Sequence, residues 1–196
     1  MAEPKVEEYY KQGSFCKTLS NRYGLVVSDL TGHLIFWPIM IVGLAFDLWS
    51  KHAVFQWLGD KPGRGVSIID GILALVTTLN EGAAFGIAAG RYYLLIVISI
   101  VALVVILAVF LLGSGRQRIV QAALAFFAAG VCGNLWDRAF NGGLVRDFIL
   151  VTYWPGKQWP AFNVADSMLC IAVGLLILAA VFTDRLSSQK RAQPRK

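Results

Sequence analysis

Charge is what this chain of 196 residues has least of. Asp, Glu, Lys and Arg together make up 15% of it, against ~25% in a soluble domain. Hydrophobic residues make up 57% and the mean hydropathy is +0.61. A small soluble fold leaves too much of its surface wet to hide that much apolar material, so a water-soluble domain is excluded. Disorder is excluded for most of the chain, because it needs low hydrophobicity and high charge. Histidine and cysteine are scarce as well. His33 and His52 are the only histidines, which leaves no H-E-x-x-H zinc site, no Ser/His/Asp set and no thiol paired with a histidine. Cys16, Cys132 and Cys170 have no metal-ligand spacing and form no disulfide framework. Cys132 and Cys170 read as small packing residues inside apolar runs. Cys16 is not expected to carry a lipid, since Phe15 precedes it and no apolar run lies upstream. No internal repeat is present, which argues against an inverted-repeat transporter.

What is there is a set of long charge-free runs. They cover residues 30–46, 92–115, 119–136 and 167–183, each near the ~20 apolar residues that a helix needs to cross hydrocarbon. Four membrane spans are expected, the first running on past Asp47 and the fourth beginning near Phe162. The first is read as a span and not a cleaved signal: about thirty polar residues precede it and no A-x-A-like site follows. The stretch 71–90 is cut in two by Glu81 and carries Gly71, Gly82, Gly86 and Gly90. It reads as short strands or a re-entrant segment. In the third run Ala125, Ala129 and Gly133 recur every four residues, a spacing that lets helices approach closely in lipid.

An even number of spans puts both termini on one side, and basic residues choose it. Lys5, Lys11, Lys17, Arg22, Arg116, Arg118, Arg185, Lys190, Arg191, Arg195 and Lys196 fall on the side of the termini. Lys51, Lys61, Arg64, Arg91, Arg138, Arg146 and Lys157 fall on the other. Eleven against seven places the termini in the cytoplasm. The net charge of +6 is thus an orientation signal, and no nucleic-acid partner is needed to explain it.

Ionisable residues at membrane depth are expensive and are functional candidates. Here they are Asp47, Lys51, Asp70, Glu81, Arg91, Asp137, Arg138, Arg146, Asp147 and Asp166, most of them at the outward ends of spans. Asp47 and Lys51 have the i,i+4 spacing of a helix salt bridge. Asn134 and Asp137 share a helix face, as do Asn163 and Asp166. Asp166 on its own reads as an acid on a helix dipole, and Asp147 as a loop acid. Two such acids at one membrane face permit another chemistry. Neighbouring carboxyls cannot both ionise, so they share a proton. The ionised one takes a proton from water and the protonated one polarises a carbonyl. Spacing alone does not choose which two aspartates would do this. A non-enzymatic membrane scaffold or small transporter whose polar groups merely pair stays open at this point. The Gly-x-Gly-Asp signature of presenilin-type proteases is absent.

Five landmarks, in order, cover residues 34–184: Asp47…Lys51, Asn80-x-Gly-Ala-Ala-Phe-Gly, Gly133-Asn-Leu-Trp-Asp-Arg138, Val145-x-Asp147-Phe and Phe162-Asn-x-Ala-Asp166. Together they resemble the bacterial signal peptidase II family, the lipoprotein signal peptidases. The resemblance implies a membrane-embedded aspartyl endopeptidase without a cofactor or metal. It would cut diacylglyceryl-modified prolipoproteins just before the lipid-modified cysteine. It implies Asp147 and Asp166 as the catalytic pair, with Asn80, Gly82, Asn134, Arg138 and Asn163 in the substrate cleft. Asp137 would support the cleft, and Asp47 and Lys51 would hold structure. The antibiotic globomycin would occupy the same cleft. The implied fold is an all-α integral membrane protein with four transmembrane helices, a small outward β-cradle and an outward amphipathic helix. On this sequence it divides into a cytoplasmic arm (1–33), a peptidase domain (34–184) and a basic cytoplasmic tail (185–196). Within the domain, 66–86 suit the cradle and 138–160 the outward helix and loop. The expected setting is the bacterial inner membrane, with membrane lipid and prolipoprotein as partners and the enzyme a monomer. Three departures stand out. Ser50 replaces a usual threonine, the arm is long, and Arg146 precedes Asp147 where an apolar residue is common. A cation there would favour the ionised form of Asp147.

Overall fold

The computed structural model describes residues 29–59, 64–82, 90–112 and 117–192, with side chains as far as Phe182. Residues 1–28 with Cys16, the Ala83–Gly86 part of the second landmark, and the side chains of the basic tail lie outside the described residues.

Among the described residues, four helices are long and apolar enough to cross a membrane. They are α1 (Leu30–Leu58), α2 (Tyr92–Leu112), α3 (Arg118–Phe140) and α4 (Val164–Ala192). The first does run past Asp47 as expected, and at 29 residues it spans ~44 Å at 1.5 Å per residue. It is therefore longer than the hydrocarbon is thick, at ~30 Å. Asp29 caps it, accepting from the Gly32 N–H at 3.0 Å. At the same end the Arg118 guanidinium grips both Asp29 oxygens, at 2.5 and 2.8 Å. That contact ties the start of α1 to the start of α3.

α3 is the centre of the bundle and touches the other three helices. Its small residues make this possible. Ala125, Ala128 and Ala129 are wholly buried. A Cβ on Gly130 would lie 2.6 Å from the Ala165 carbonyl oxygen of α4. On α1, Gly43 lets Met168 and Ala129 in: a Cβ there would meet the Met168 sulfur at 2.8 Å. The larger side chains fill the side toward α2, where Phe36 and Phe110 stack with centroids 4.0 Å apart beside Ile106, Leu124 and Val131.

The α1–α2 and α3–α4 connections, at one end of the bundle, form one antiparallel sheet. Its strands, in order, are β1 (Gly65–Ile69), β2 (Leu73–Asn80), β3 (Val145–Trp154) and β4 (Lys157–Gln158). The cradle expected from 66–86 is half of it. The other half overturns an expectation: 138–160 holds no amphipathic helix, and none occurs among the described residues outside the four spans. That stretch is the end of α3, a glycine turn and two strands. The reason is legible in Val145–Trp154, a run of β-branched and aromatic residues with no polar stripe at helical spacing. Gly142 and Gly143 have φ of +62° and +86°, the left-handed region that lets the chain leave α3 and enter β3 within four residues.

The β2–β3 pairing joins segments separated in sequence by α2 and α3, and so staples the two connections together. Thr78 faces Asp147 and Leu75 faces Ile149. β2 thus advances three residues while β3 advances two, a bulge that brings Asn80 opposite Val145 at the mouth of the helix bundle.

Candidate active site

Asp147 and Asp166 reach the site by different routes. Asp147 is the third residue of β3, and the alternation of the strand points it inward, where it is 1% exposed. Its neighbour Arg146 is therefore on the opposite face. There the guanidinium binds Asp137 Oδ1 through Nη2 at 2.6 Å and Nε at 3.2 Å. This corrects the expectation that Arg146 would favour an ionised Asp147.

Asp166 lies in the first turn of α4 and is half-buried. The turn is closed by a reciprocal pair of hydrogen bonds. The Asp166 N–H donates to Asn163 Oδ1 at 3.0 Å, and the Asn163 N–H donates to Asp166 Oδ2 at 3.1 Å. This is the logic of a capping box, with the acid three residues after the cap. A third free N–H of this turn, that of Ala165, donates to Asp47 Oδ1 at 2.7 Å. The landmark Phe162-Asn-x-Ala-Asp166 is thus a helix start built to present one carboxyl.

Three asparagines bind the two carboxyls. Asn80 Nδ2 donates to Asp147 Oδ2 at 2.9 Å, and Asn163 Nδ2 to Asp147 Oδ1 at 2.6 Å. Asn134 Nδ2 donates to Asp166 Oδ1 at 2.8 Å. Each amide is fixed by what its oxygen accepts: the Gly82 N–H for Asn80, the Asp166 N–H for Asn163, and Lys51 Nζ and Asn163 Nδ2, both at 3.1 Å, for Asn134. Arg138 is 8% exposed and donates to the Gly82 carbonyl at 2.8 Å, while its Nε has no partner among the described residues. Burial pushes the Asp147 carboxyl up to about 7, and the nearby charge of Asp166 adds to the rise. The bonds from Asn80 and Asn163 and the charge of Lys51 pull the other way.

Under the site runs a buried chain of charge. Lys51 Nζ lies 2.7 Å from Asp47 Oδ2 and 3.4 Å from Asp137 Oδ2, and all three side chains have no exposed surface. Gly133 makes room for it. A Cβ there would collide with the Asp47 carboxyl and lie 3.2 Å from Ala165.

The structure brings together Asn80, Gly82, Asn134, Arg138, Asp147, Asn163 and Asp166, with Asp47, Lys51 and Asp137 beneath them. It leaves Asp70, Glu81 and Arg91 exposed at the surface. Two contributors were not read from sequence. Arg146 as the partner of Asp137 follows from strand alternation once β3 is recognised. Gly133 as the seat of Asp47 has only the four-residue small-residue spacing as its signal.

A protein-family model described as signal peptidase (SPase) II matches residues 39–182. The chain belongs to the signal peptidase II family. It is a multi-pass membrane protease. Among curated relatives, the lipoprotein signal peptidase of Halalkalibacterium halodurans is 32% identical over 81% of this chain and 99% of its own length. That of Geobacter sulfurreducens is 39% identical over 67% of this chain and 79% of its own. A bacterial membrane enzyme solved by the in meso method at 2.3 Å superposes with a TM-score of 0.72 at 29% identity, covering 88% of this chain and 99% of that one. All five landmarks lie inside the family match.

Proposed function

We propose that this family member is an aspartyl endopeptidase of the bacterial inner membrane. It removes the signal peptide from diacylglyceryl-modified prolipoproteins just before the modified cysteine. The observation that carries the reading is the pair of carboxyls, unequally buried and bridged by Asn163. Asp147, wholly buried, holds the proton near neutral pH. Asp166, half-buried and held by two donors, is the base.

Water between them loses a proton to Asp166 as its oxygen adds to the scissile carbonyl carbon. The proton of Asp147 passes to the carbonyl oxygen. When the tetrahedral intermediate collapses, Asp166 returns its proton to the leaving nitrogen, the C–N bond breaks, and the diol gives a proton back to Asp147. Both acids end as they began, and the pair needs no cofactor for this cycle. The asparagines hold the two carboxyls, while Asn80, Gly82, Asn134, Arg138 and Asn163 line the cleft for the extended peptide. The bias of basic residues supports cytoplasmic termini and a site at the outer face.

The test is a gel-shift assay with a lipid-modified prolipoprotein, with and without globomycin. Cleavage is expected from the wild type and is blocked by globomycin. Asp147→Asn and Asp166→Asn are expected folded and inactive. Full activity in either variant overturns the assignment.

A further inference from the structure

The chain Asp47–Lys51–Asp137–Arg146 is neutral in sum and reaches the Asp166 carboxyl through Asn134. An ammonium only donates, so Lys51 beside Asn134 Oδ1 at 3.1 Å forbids the flipped amide. With the oxygen turned to Lys51, Nδ2 faces Asp166 Oδ1 at 2.8 Å. The Lys51 ammonium faces three oxygens: it donates to Asn134 Oδ1 and lies in ion-pair range of Asp47 Oδ2 at 2.7 Å and, farthest, Asp137 Oδ2 at 3.4 Å. That distance stays long because Asp137 has another cation. Arg146 supplies two side-chain donors to Oδ1 and its backbone N–H to Oδ2 at 3.0 Å.

We propose that Lys51 and Arg146 are positioning residues for Asp166: Arg146 neutralises buried Asp137, which leaves Lys51 free to lock the Asn134 amide onto the Asp166 carboxyl. The inference rests on the proposed reaction and extends it to Arg146. Without the Arg146 charge, Asp137 has no exposed surface and Lys51 as its remaining ion-pair partner. A buried carboxylate strongly disfavours standing alone. It draws Lys51 toward itself, and the contact given up is the one to the neutral acceptor, Asn134 Oδ1. The Asn134 oxygen then keeps only the Asn163 Nδ2 donor at 3.1 Å, so the amide is held less firmly and its donor to Asp166 loses alignment.

The experiment compares Arg146→Met, which keeps the aliphatic stem, with Arg146→Met combined with Asp137→Asn, both as full-length protein in lipid, on a diacylglyceryl prolipoprotein. Arg146→Met is expected to lower kcat about tenfold with KM within twofold, as misplacement of a reacting group does. Removing the carboxylate as well takes away the pull on Lys51, so the double variant regains most of the lost kcat. A residue that merely tied β3 to α3 gives the opposite result, because the double variant lacks the same tether. Equal loss in single and double variants, or no loss in the single one, overturns the proposal. If Arg146→Met cannot be obtained folded, the charge-balanced double variant decides alone: a tenfold fall in its kcat overturns the proposal, and a fall under threefold supports it. An inactive wild type defeats the functional reading, whereas an active wild type indifferent to Arg146 defeats only this inference.

Discussion

α2 and α3 lie against each other and are built on opposite plans. α2 carries no charge and no amide in 21 residues, yet only Leu95, Ile106 and Phe110 are buried. α3 carries Gln121, Asn134, Asp137 and Arg138, and all four are buried along with eight apolar or small residues. In water the order would be reversed. In lipid the tails are as apolar as leucine, so the most hydrophobic helix gains nothing by going inside. Polar groups gain most there, because only protein can satisfy them. Polarity, and not hydrophobicity, marks the inner helix and the site at its end.

The largest expected effect tests whether the chemistry belongs to that polar end. Asp166→Asn keeps size and removes the proposed base. It should lower kcat by ~10²–10⁴-fold, the range of a lost general acid or base. Ser99→Ala on α2 removes a hydroxyl that bonds to its own helix, at the Leu95 carbonyl. It should leave kcat within twofold. Prolipoprotein turnover in bicelles measures both, and equal losses would end the distinction between the helices.

Stability should depend on pH at the polar end and not along α2, which has no carboxyl or histidine. Asp147 is held near 7 in the fold and near 3.8 when unfolded. The folded state therefore binds the extra proton, and the contribution of Asp147 to stability is largest below pH ~4. It falls as pH rises toward 7, by at most ~4 kcal/mol at 1.36 kcal/mol per pH unit. Asp147→Asn should flatten that slope. Unfolding by denaturant between pH 4 and 8 checks it, and an unchanged slope in the variant would remove Asp147 as the source.

Much of this could be read before any coordinates. The spans follow from charge-free runs, because hydrocarbon excludes charge. Asp47, Lys51, Asp137, Asp147 and Asp166 stood out because burying them is costly without a purpose. The strand Val145–Trp154 was less legible, since β-sheet pairing depends on a distant partner, here β2, which no local pattern names. The side that Arg146 faces follows from that strand, so an error in the element became an error in the electrostatics. The seat of Asp47 on Gly133 was hidden for a similar reason. A small-residue spacing says that helices approach and does not say which atom fills the gap.

Gly133→Ala sharpens the comparison on α3 itself. The added methyl meets the Asp47 carboxyl and Ala165, neither of which is the loose end of a flexible side chain. Overpacking of this kind costs ~1–3 kcal/mol. It also pushes on the acceptor of the Ala165 N–H, so kcat should fall along with stability. Thermal unfolding and turnover of the same preparation measure the two. A variant as stable as wild type would show that Asp47 has room to shift.

The smallest expected effect is on α2. Ile98 is 53% exposed on the lipid side of a helix that packs on α3. Ile→Ala in a soluble core costs ~2–5 kcal/mol, part of it for the cavity left behind. Here a fluid acyl chain fills the space and is as apolar as the side chain it replaces. The expected cost is below ~0.5 kcal/mol, the range of surface substitutions that touch no special feature. Phe110→Ala on the same helix empties the stack against Phe36, and its lining is protein. It should cost several times more. If Ile98→Ala proves as costly as Phe110→Ala, the outer face of α2 is covered by protein in the membrane, and the rule that its hydrophobicity marks contact with lipid fails for this helix.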